Sequence, residues 1–376
     1  MSIVTATIAA TVGIVAFAPP AGAAPPPAPP NTVGVGPASN NFVGAFAQSL
    51  ITPDVAPVGA NDWSCEPADQ HPRPVVLVHG TWENAYNNWS GVAPVLANAG
   101  YCVFALNYGR VGLLEAGGLG TVLPNTNGVA PIEQSAEQLA GFVDAVLAAT
   151  GAEQVDIVGH SQGGLMARQY LKFEGGADAE DPSENKVAHL VTLGATNHGT
   201  TLDGIGTLDR IIRDLGLNLD PLLNYIVGNA PMQQVYDSPL LRNLNAGGDT
   251  VPGVDYTIIG TQFDEITNPY QWTFLTAGPG ATVRNITLQH GCPVDVSDHL
   301  SMSYSPRAID WIQHALDGTG FPESQVRCVG NAPLGGSSDG GPGGTGSAPL
   351  FAGLAGSSGS GELFAGSVGS GGSYAP

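Results

Sequence analysis

Val155-Asp156-Ile157-Val158-Gly159-His160-Ser161-Gln162-Gly163-Gly164-Leu165-Met166-Ala167-Arg168 is the stretch that decides the fold. A buried-strand pattern at residues 155–158 runs straight into Gly-x-Ser-x-Gly and then into a helical pattern, which is the signature of a nucleophile elbow. The turn after such a strand is so tight that small residues must flank the serine, whose hydroxyl then projects clear of the sheet. The helix that begins there aims free backbone N–H groups and its positive end at the same point. Ser161 is therefore the candidate nucleophile. Residues 336–340 fit the same five-residue pattern around Ser338, but they lie in a glycine- and serine-rich stretch with no strand before it and no helix after it. Context sets Ser338 aside.

Working outward from the elbow, apolar runs alternate with helical patterns. Residues 75–78 and 101–106 read as buried strands, with a helix at about 90–98 between them. Ile132, Ala136, Leu139, Ala140, Val143, Val146 and Leu147 share one face at helical spacing, and Gly151 is placed to end that helix. Further strands are expected at 187–193, 256–259 and 283–288, before a last helix at about 307–316. Repeated strand–helix alternation predicts an α/β fold with a mainly parallel central sheet and helices on both faces.

A serine hydroxyl is a poor nucleophile until a base takes its proton, so Ser161 needs a histidine and a group to orient it. The elbow topology delivers serine first, then an acid after a late strand, then a histidine in a loop near the end. His299 lies after the last strand and before the last helix, with His290 as its competitor. The acid should follow the strand at 256–259. Asp264 is well placed, and its neighbour Glu265 is the rival. Asp295 and Asp298 are close to His299 in sequence, but adjacency does not put a carboxylate on the right ring nitrogen. They are read as turn caps, with a structural calcium site as the alternative. The negative oxygen of an acyl-transfer intermediate needs two fixed donors, expected from the backbone N–H groups of Thr81 and Gln162. Both are main-chain groups, so the side chain at 81 is not expected to matter. Tyr170, His198 and Trp82 are candidates for lining the site or for packing.

The segments Pro74-Val75-Val76-Leu77-Val78-His79-Gly80-Thr81, Gly159-His160-Ser161-Gln162-Gly163-Gly164, Ala195-Thr196-Asn197-His198-Gly199-Thr200 and Asp298-His299-Leu300 give the chain a resemblance to the α/β-hydrolase superfamily. Within it, the chain resembles the secreted actinobacterial class 2 triacylglycerol lipases over roughly residues 41–330. The resemblance implies carboxyl-ester hydrolysis through an acyl-enzyme, with Ser161, Asp264 and His299 as the triad, a lipid or ester substrate met at a lipid–water interface, a monomer and no cofactor. Fold and triad leave the acyl acceptor open. A polyester or cutin hydrolase, a haloperoxidase or amidase, and a non-catalytic cell-envelope protein on the same fold stand as alternatives.

The ends of the chain read differently. Residues 3–18 form an apolar run ended by Pro19-Pro20, followed by the small residues Ala21-Gly22-Ala23. This predicts a signal peptide over 1–24, with a retained anchor as the alternative, although no basic residue precedes the run. A Pro/Gly-rich linker is expected at 25–40, the catalytic domain at 41–330, and a disordered Gly/Ser-rich tail at 331–376 in which Leu-Phe-Ala-Gly recurs at 350 and 363. Residues 200–250 carry many large aliphatic side chains and are expected to be a helical cap or lid inserted over the acyl site. With 32 acidic against 11 basic residues, and a formal net charge of −21, the chain lacks the basic face that a nucleic acid or an anionic membrane would require. In an exported chain four cysteines predict two disulfides. Three pairings are possible. We take Cys65 with Cys102 and Cys292 with Cys328, which would tie the leading segment to the second strand and the histidine loop to the segment after the last helix.

Overall fold

The computed structural model describes residue 34 and residues 36–52, 54–112, 127–201, 228–317, 320–333 and 336–337. The expected signal peptide, most of the linker, residues 202–227 of the expected cap and nearly all of the tail, including Ser338, lie outside the described residues. The organising element is a sheet of six strands: β1 Val75–Val78, β2 Val103–Leu106, β3 Val155–His160, β4 Val187–Leu193, β5 Asp255–Gly260 and β6 Thr282–Thr287. Their order is β2-β1-β3-β4-β5-β6, and every pairing is parallel. Parallel neighbours must be joined by crossovers that cover the sheet on both faces. The strands themselves show it: all four residues of β1 are fully buried. Val76 and Val78 enter one apolar cluster and Val75 and Leu77 the other, as the two-residue period of a strand requires.

On the first face lie α4 Ile132–Thr150 and α5 Gln162–Phe173, which contribute Leu139, Val143, Leu165 and Met166. On the second lie α3 Val92–Asn98 and α8 Pro306–Asp317, which contribute Val92, Leu96, Ile309 and Ile312. The helix expected at about 90–98 is α3, and a further short helix precedes it. The Asn84 side chain forms a capping box that starts α2 Ala85–Trp89 early, and the chain then breaks at Gly91, where a Cβ would lie 2.8 Å from the Tyr304 ring. An unanticipated helix, α1 Phe42–Ile51, is N-capped by Asn41 and packs Phe42 on Tyr304. Ahead of it, residues that composition placed in the linker touch the domain: the Pro37 carbonyl accepts the Tyr86 hydroxyl at 2.8 Å.

The later part of the expected cap belongs to the core. Residues 228–250 form α6 Asn229–Gln233 and α7 Pro239–Asn245, and Ala230, Leu240, Leu241 and Leu244 are buried in the cluster that also holds α4 and α5. Lys172 donates to the carbonyl of Leu244, clamping α7 against α5. Disulfides join Cys65 to Cys102 and Cys292 to Cys328, with Cα atoms 5.7 and 5.2 Å apart. Among the described residues no helix is long and apolar enough to cross a membrane.

The sheet and α5 meet backbone to backbone. A Cβ on Gly163 would lie 2.2 Å from the Val78 carbonyl oxygen and 2.6 Å from that of His79, whereas one on Gly141, inside α4, would meet nothing within 4 Å. Gly163→Ala is therefore expected to cost about 1–3 kcal/mol through forced backbone displacement. Gly141→Ala should add about 0.5–1 kcal/mol by relieving the entropic cost of a mid-helix glycine. Urea unfolding of the two variants beside the wild type checks both signs.

Candidate active site

β1, β3 and β5 end at the same edge of the sheet, with Val78 in register with Gly159, and Leu193 of β4 in register with both His160 and Ile259. Loops leaving that edge carry Thr81, Ser161 and Asp264, and the segment after β6 carries His299. In an open parallel sheet this carboxyl edge is where ligands bind. Ser161 holds φ 52° and ψ −125° between β3 and α5. Such a conformation is costly for a residue with a side chain, about 1–3 kcal/mol, and persists only where the surroundings enforce it. The Ser161 N–H donates to the Leu193 carbonyl at 2.8 Å, and the Ser161 carbonyl accepts from Gly164 at 3.1 Å.

The structure brings His299 and Asp264 together and sorts the competitors. His299 Nδ1 lies 2.9 and 3.0 Å from the two carboxylate oxygens of Asp264. Asp264 is itself held by the N–H groups of Ile266 and Thr267, at 3.0 and 2.7 Å on Oδ1. Glu265 takes the backbone N–H of His299 at 3.2 Å and not its ring. His290 is exposed. Asp298 accepts the N–H of Ser301, and Asp295 accepts the Ser297 N–H and the hydroxyls of Ser297 and Ser305, so both shape the histidine loop as turn residues. Among the described residues there is no group of three or more His, Cys, Asp or Glu side chains able to hold a metal ion. Of the three lining candidates, Tyr170 is fully buried in the core, His198 bridges Asp249 and the Trp272 carbonyl, and Trp82 is exposed beside Thr81.

Electrostatics favours a charged His299. Burial alone would disfavour the imidazolium. The Asp264 carboxylate, by its charge and its hydrogen bond, outweighs burial with help from Glu265 and Glu83, and pushes His299 up to about 9. His79 behaves oppositely: burial pushes it down to about 4, which keeps it neutral against the Tyr108 ring, stacked at 4.3 Å. A histidine fixed at Nδ1 by a carboxylate is in the tautomer that can take a proton at Nε2. As the first residue of α5, Gln162 has an N–H without an intrahelical acceptor. The loop bearing Thr81 is close by, since a Cβ on Gly80 would lie 3.0 Å from the Ser161 Cβ.

Two contributors escaped the sequence reading. The Thr81 side chain does matter: its hydroxyl donates to Gln162 Oε1 at 2.6 Å. Gln234, just after α6, donates to the Thr81 hydroxyl at 2.9 Å and to Gln162 Oε1 at 3.3 Å, while its own oxygen accepts from Thr196 at 2.8 Å. This buried bridge ties together the two residues whose N–H groups were expected to act as a pair. Glu83 is the other. It is buried, accepts the Gly80 N–H at 2.7 Å and contacts His160 Nδ1 at 3.0 Å.

Six parallel strands covered on both faces, with a strained serine between a strand and a helix at their carboxyl edge, define an α/β-hydrolase. Residues 72–274, more than half of the chain, match the family described as Lipase (class 2), and the chain belongs to that family of carboxylic-ester hydrolases. It is similar to a triacylglycerol lipase of Pseudarthrobacter phenanthrenivorans, 28% identical over 258 residues that span 67% of this chain and 70% of that one. A triacylglycerol lipase of Burkholderia plantarii is also 28% identical over 258 residues, covering 67% of this chain and 62% of the other. Among solved structures, Aspergillus fumigatus lipase B aligns with a TM-score of 0.48 at 20% identity, over 69% of this chain and 55% of its own.

The Gln234 bridge makes a stability prediction. Gln234→Leu keeps the volume but leaves the Thr196 hydroxyl and the Thr81 acceptor without a partner, and is expected to cost about 1–3 kcal/mol in urea unfolding. An unchanged midpoint would mean that the bridge contributes nothing to the fold.

Proposed function

We propose that the protein is a secreted serine lipase or esterase that hydrolyses lipid esters through an acyl-enzyme on Ser161. The observation that carries this reading is the grip of both Asp264 oxygens on His299 Nδ1, at 2.9 and 3.0 Å, beside a serine held at positive φ. In the proposed reaction His299 Nε2 takes the Ser161 proton as Oγ attacks the ester carbonyl. The N–H groups of Thr81 and Gln162 receive the negative oxygen, and His299, now an imidazolium stabilised by Asp264, returns the proton to the departing alcohol. Water then attacks the acyl-enzyme with the same histidine as base. Donors fixed in a buried site need no reorganisation at the moment of reaction, which is why they are effective there.

Nothing in this sequence of steps calls for a cofactor, and the reading includes none. Lipid esters are the favoured substrates because both curated relatives carry the name triacylglycerol lipase. Secretion is supported by two disulfides, which persist in oxidising compartments.

Ser161→Ala is expected to lower hydrolysis of p-nitrophenyl butyrate by about 10⁴-fold or more while the circular dichroism spectrum is kept. Asp264→Asn should lose about 10⁴-fold in kcat, because the imidazole is no longer held in the productive tautomer. Retained activity in Ser161→Ala would refute the assignment. The pH profile has a definite sign. His299 must be neutral to accept the serine proton, and its carboxylate neighbours raise it from its ordinary value, so kcat/KM should climb with pH through a midpoint above about 6.5. A midpoint below that value would contradict the electrostatic account. Rates on acetate, butyrate, octanoate and palmitate esters, beside an emulsified triglyceride, separate lipase from esterase. Each buried methylene adds up to about 0.8 kcal/mol of binding, so a lipid-ester enzyme should favour the longer chains in kcat/KM.

A further inference from the structure

We propose that Glu83 is a positioning residue of this hydrolase, which acts with His160 as a buried ion pair that fastens the Thr81 loop and the His299 loop to opposite sides of the nucleophile. The proposal rests on the Ser161–His299 reading above and adds a residue pair to it. Glu83 is 3% exposed, and a carboxylate is almost never buried that far without a specific partner. Both of its contacts run through one oxygen. Oε2 accepts the Gly80 N–H at 2.7 Å, one residue before the donor Thr81, and contacts His160 Nδ1 at 3.0 Å. Oε1 is buried without a hydrogen-bond partner among the described residues. A group placed only for shape would be a glutamine or an apolar residue, since an unpaired carboxylate oxygen in the interior costs stability.

His160 completes the connection. It is fully buried, precedes Ser161 directly, and its Nε2 lies 2.8 Å from the His299 carbonyl oxygen, with the two rings 4.9 Å apart. Each ring nitrogen therefore faces an acceptor, Glu83 on one side and the His299 main chain on the other. Protons on both nitrogens would satisfy both acceptors, the arrangement of an imidazolium paired with a carboxylate. Asn88 Nδ2 stands 3.1 Å from the same Nδ1, and the Asn88 oxygen is buried without a partner among the described residues. Turning that amide over would offer the proton a second acceptor.

The consequence is mechanical and electrostatic. Gly80 and the His299 carbonyl are held through one rigid chain of buried hydrogen bonds, so the distance between the oxyanion donor and the base is set by Glu83 and His160. Misplacement of such groups by about 1 Å costs on the order of 10²-fold in rate. The charged and titratable groups around His299 are Asp264 and Glu265 from the acid loop, Glu83 from the loop after β1, and His160 from the end of β3. Around Glu83 stand His79, His160, His299, Tyr108 and Tyr304. Removing the negative member of the pair makes a protonated His299 less favourable, and removing the positive member makes it more favourable.

The test is the pH dependence of kcat and kcat/KM for p-nitrophenyl butyrate in full-length wild type, Glu83→Gln, His160→Gln and Ser161→Ala. Glu83→Gln should lower kcat by about 10-fold or more and move the acid limb of kcat/KM to lower pH by about 0.5–1 unit. His160→Gln should also lower kcat but move the limb upward. These opposite displacements would not arise from two variants that merely loosen the fold. An acid limb unmoved in Glu83→Gln, or moved in the same direction in both variants, overturns the proposal. If Glu83→Gln does not fold, a His160→Gln limb that fails to rise overturns it alone. Activity surviving in Ser161→Ala would instead strike the underlying reading, so the two failures are distinguishable.

Discussion

The backbone contact between β1 and the start of α5 is the constraint on which the site depends. With no side chain at Gly163, the first turn of α5 sits against the carbonyls of Val78 and His79 at a distance that excludes even a methyl group. That approach holds the loop after β1 beside Ser161, where the Thr81 hydroxyl bonds the Gln162 side chain. It also forces Ser161 into its positive-φ turn, because the chain must pass from a fully buried strand into a helix within a single residue. Close packing and chemistry are here the same requirement. Relaxing the contact would ease the serine and separate Thr81 from Gln162 together.

Around this contact the protein accumulates buried polar groups at a density a plain core would not tolerate. His79, Glu83, Asn88, His160, Ser161, Gln162, Asp264 and His299 are all buried. Each is costly unless satisfied, and Glu83 with His160 and Asp264 with His299 meet across elements far apart in sequence. The carboxylates are not evenly spread. Asp264 lies against the imidazole ring, Glu265 against the His299 main chain, and Glu83 behind His160. All three favour a protonated His299, and the expected shift of the pH profile follows from their number and proximity.

Local pattern carried much of this in the sequence. Ser161 was legible because a strand, a tight turn and a helix are contiguous, and β4 reads directly as the apolar run at residues 187–193. Chain order singles out His299 among the histidines, and the fold sets its ring against Asp264. Choosing between Asp264 and Glu265 was harder, since they are adjacent on one loop and only the fold decides which carboxylate meets the ring and which meets the main chain. Gln234 and Glu83 were invisible for a related reason. Their partners lie 153 and 77 residues away, Thr81 in one case and His160 in the other, and no periodicity encodes such a meeting. Residues 228–250 fall within the expected cap, because large aliphatics look alike over a substrate and in a core. Leu240, Leu241 and Leu244 in fact pack against the helices that flank the sheet.

The central claim is that one serine, one histidine–carboxylate pair and two main-chain donors converge on a single reacting atom. A crystal structure of the protein inactivated with a p-nitrophenyl alkylphosphonate tests it most directly, because the phosphonyl oxygen stands where the negative oxygen of the intermediate would. The account predicts phosphorus bonded to Ser161 Oγ, its oxygen within about 3 Å of the N–H groups of both Thr81 and Gln162, and His299 Nε2 within hydrogen-bond reach of the ester oxygen. Phosphorus on another residue, or a phosphonyl oxygen turned away from those two N–H groups, would contradict it.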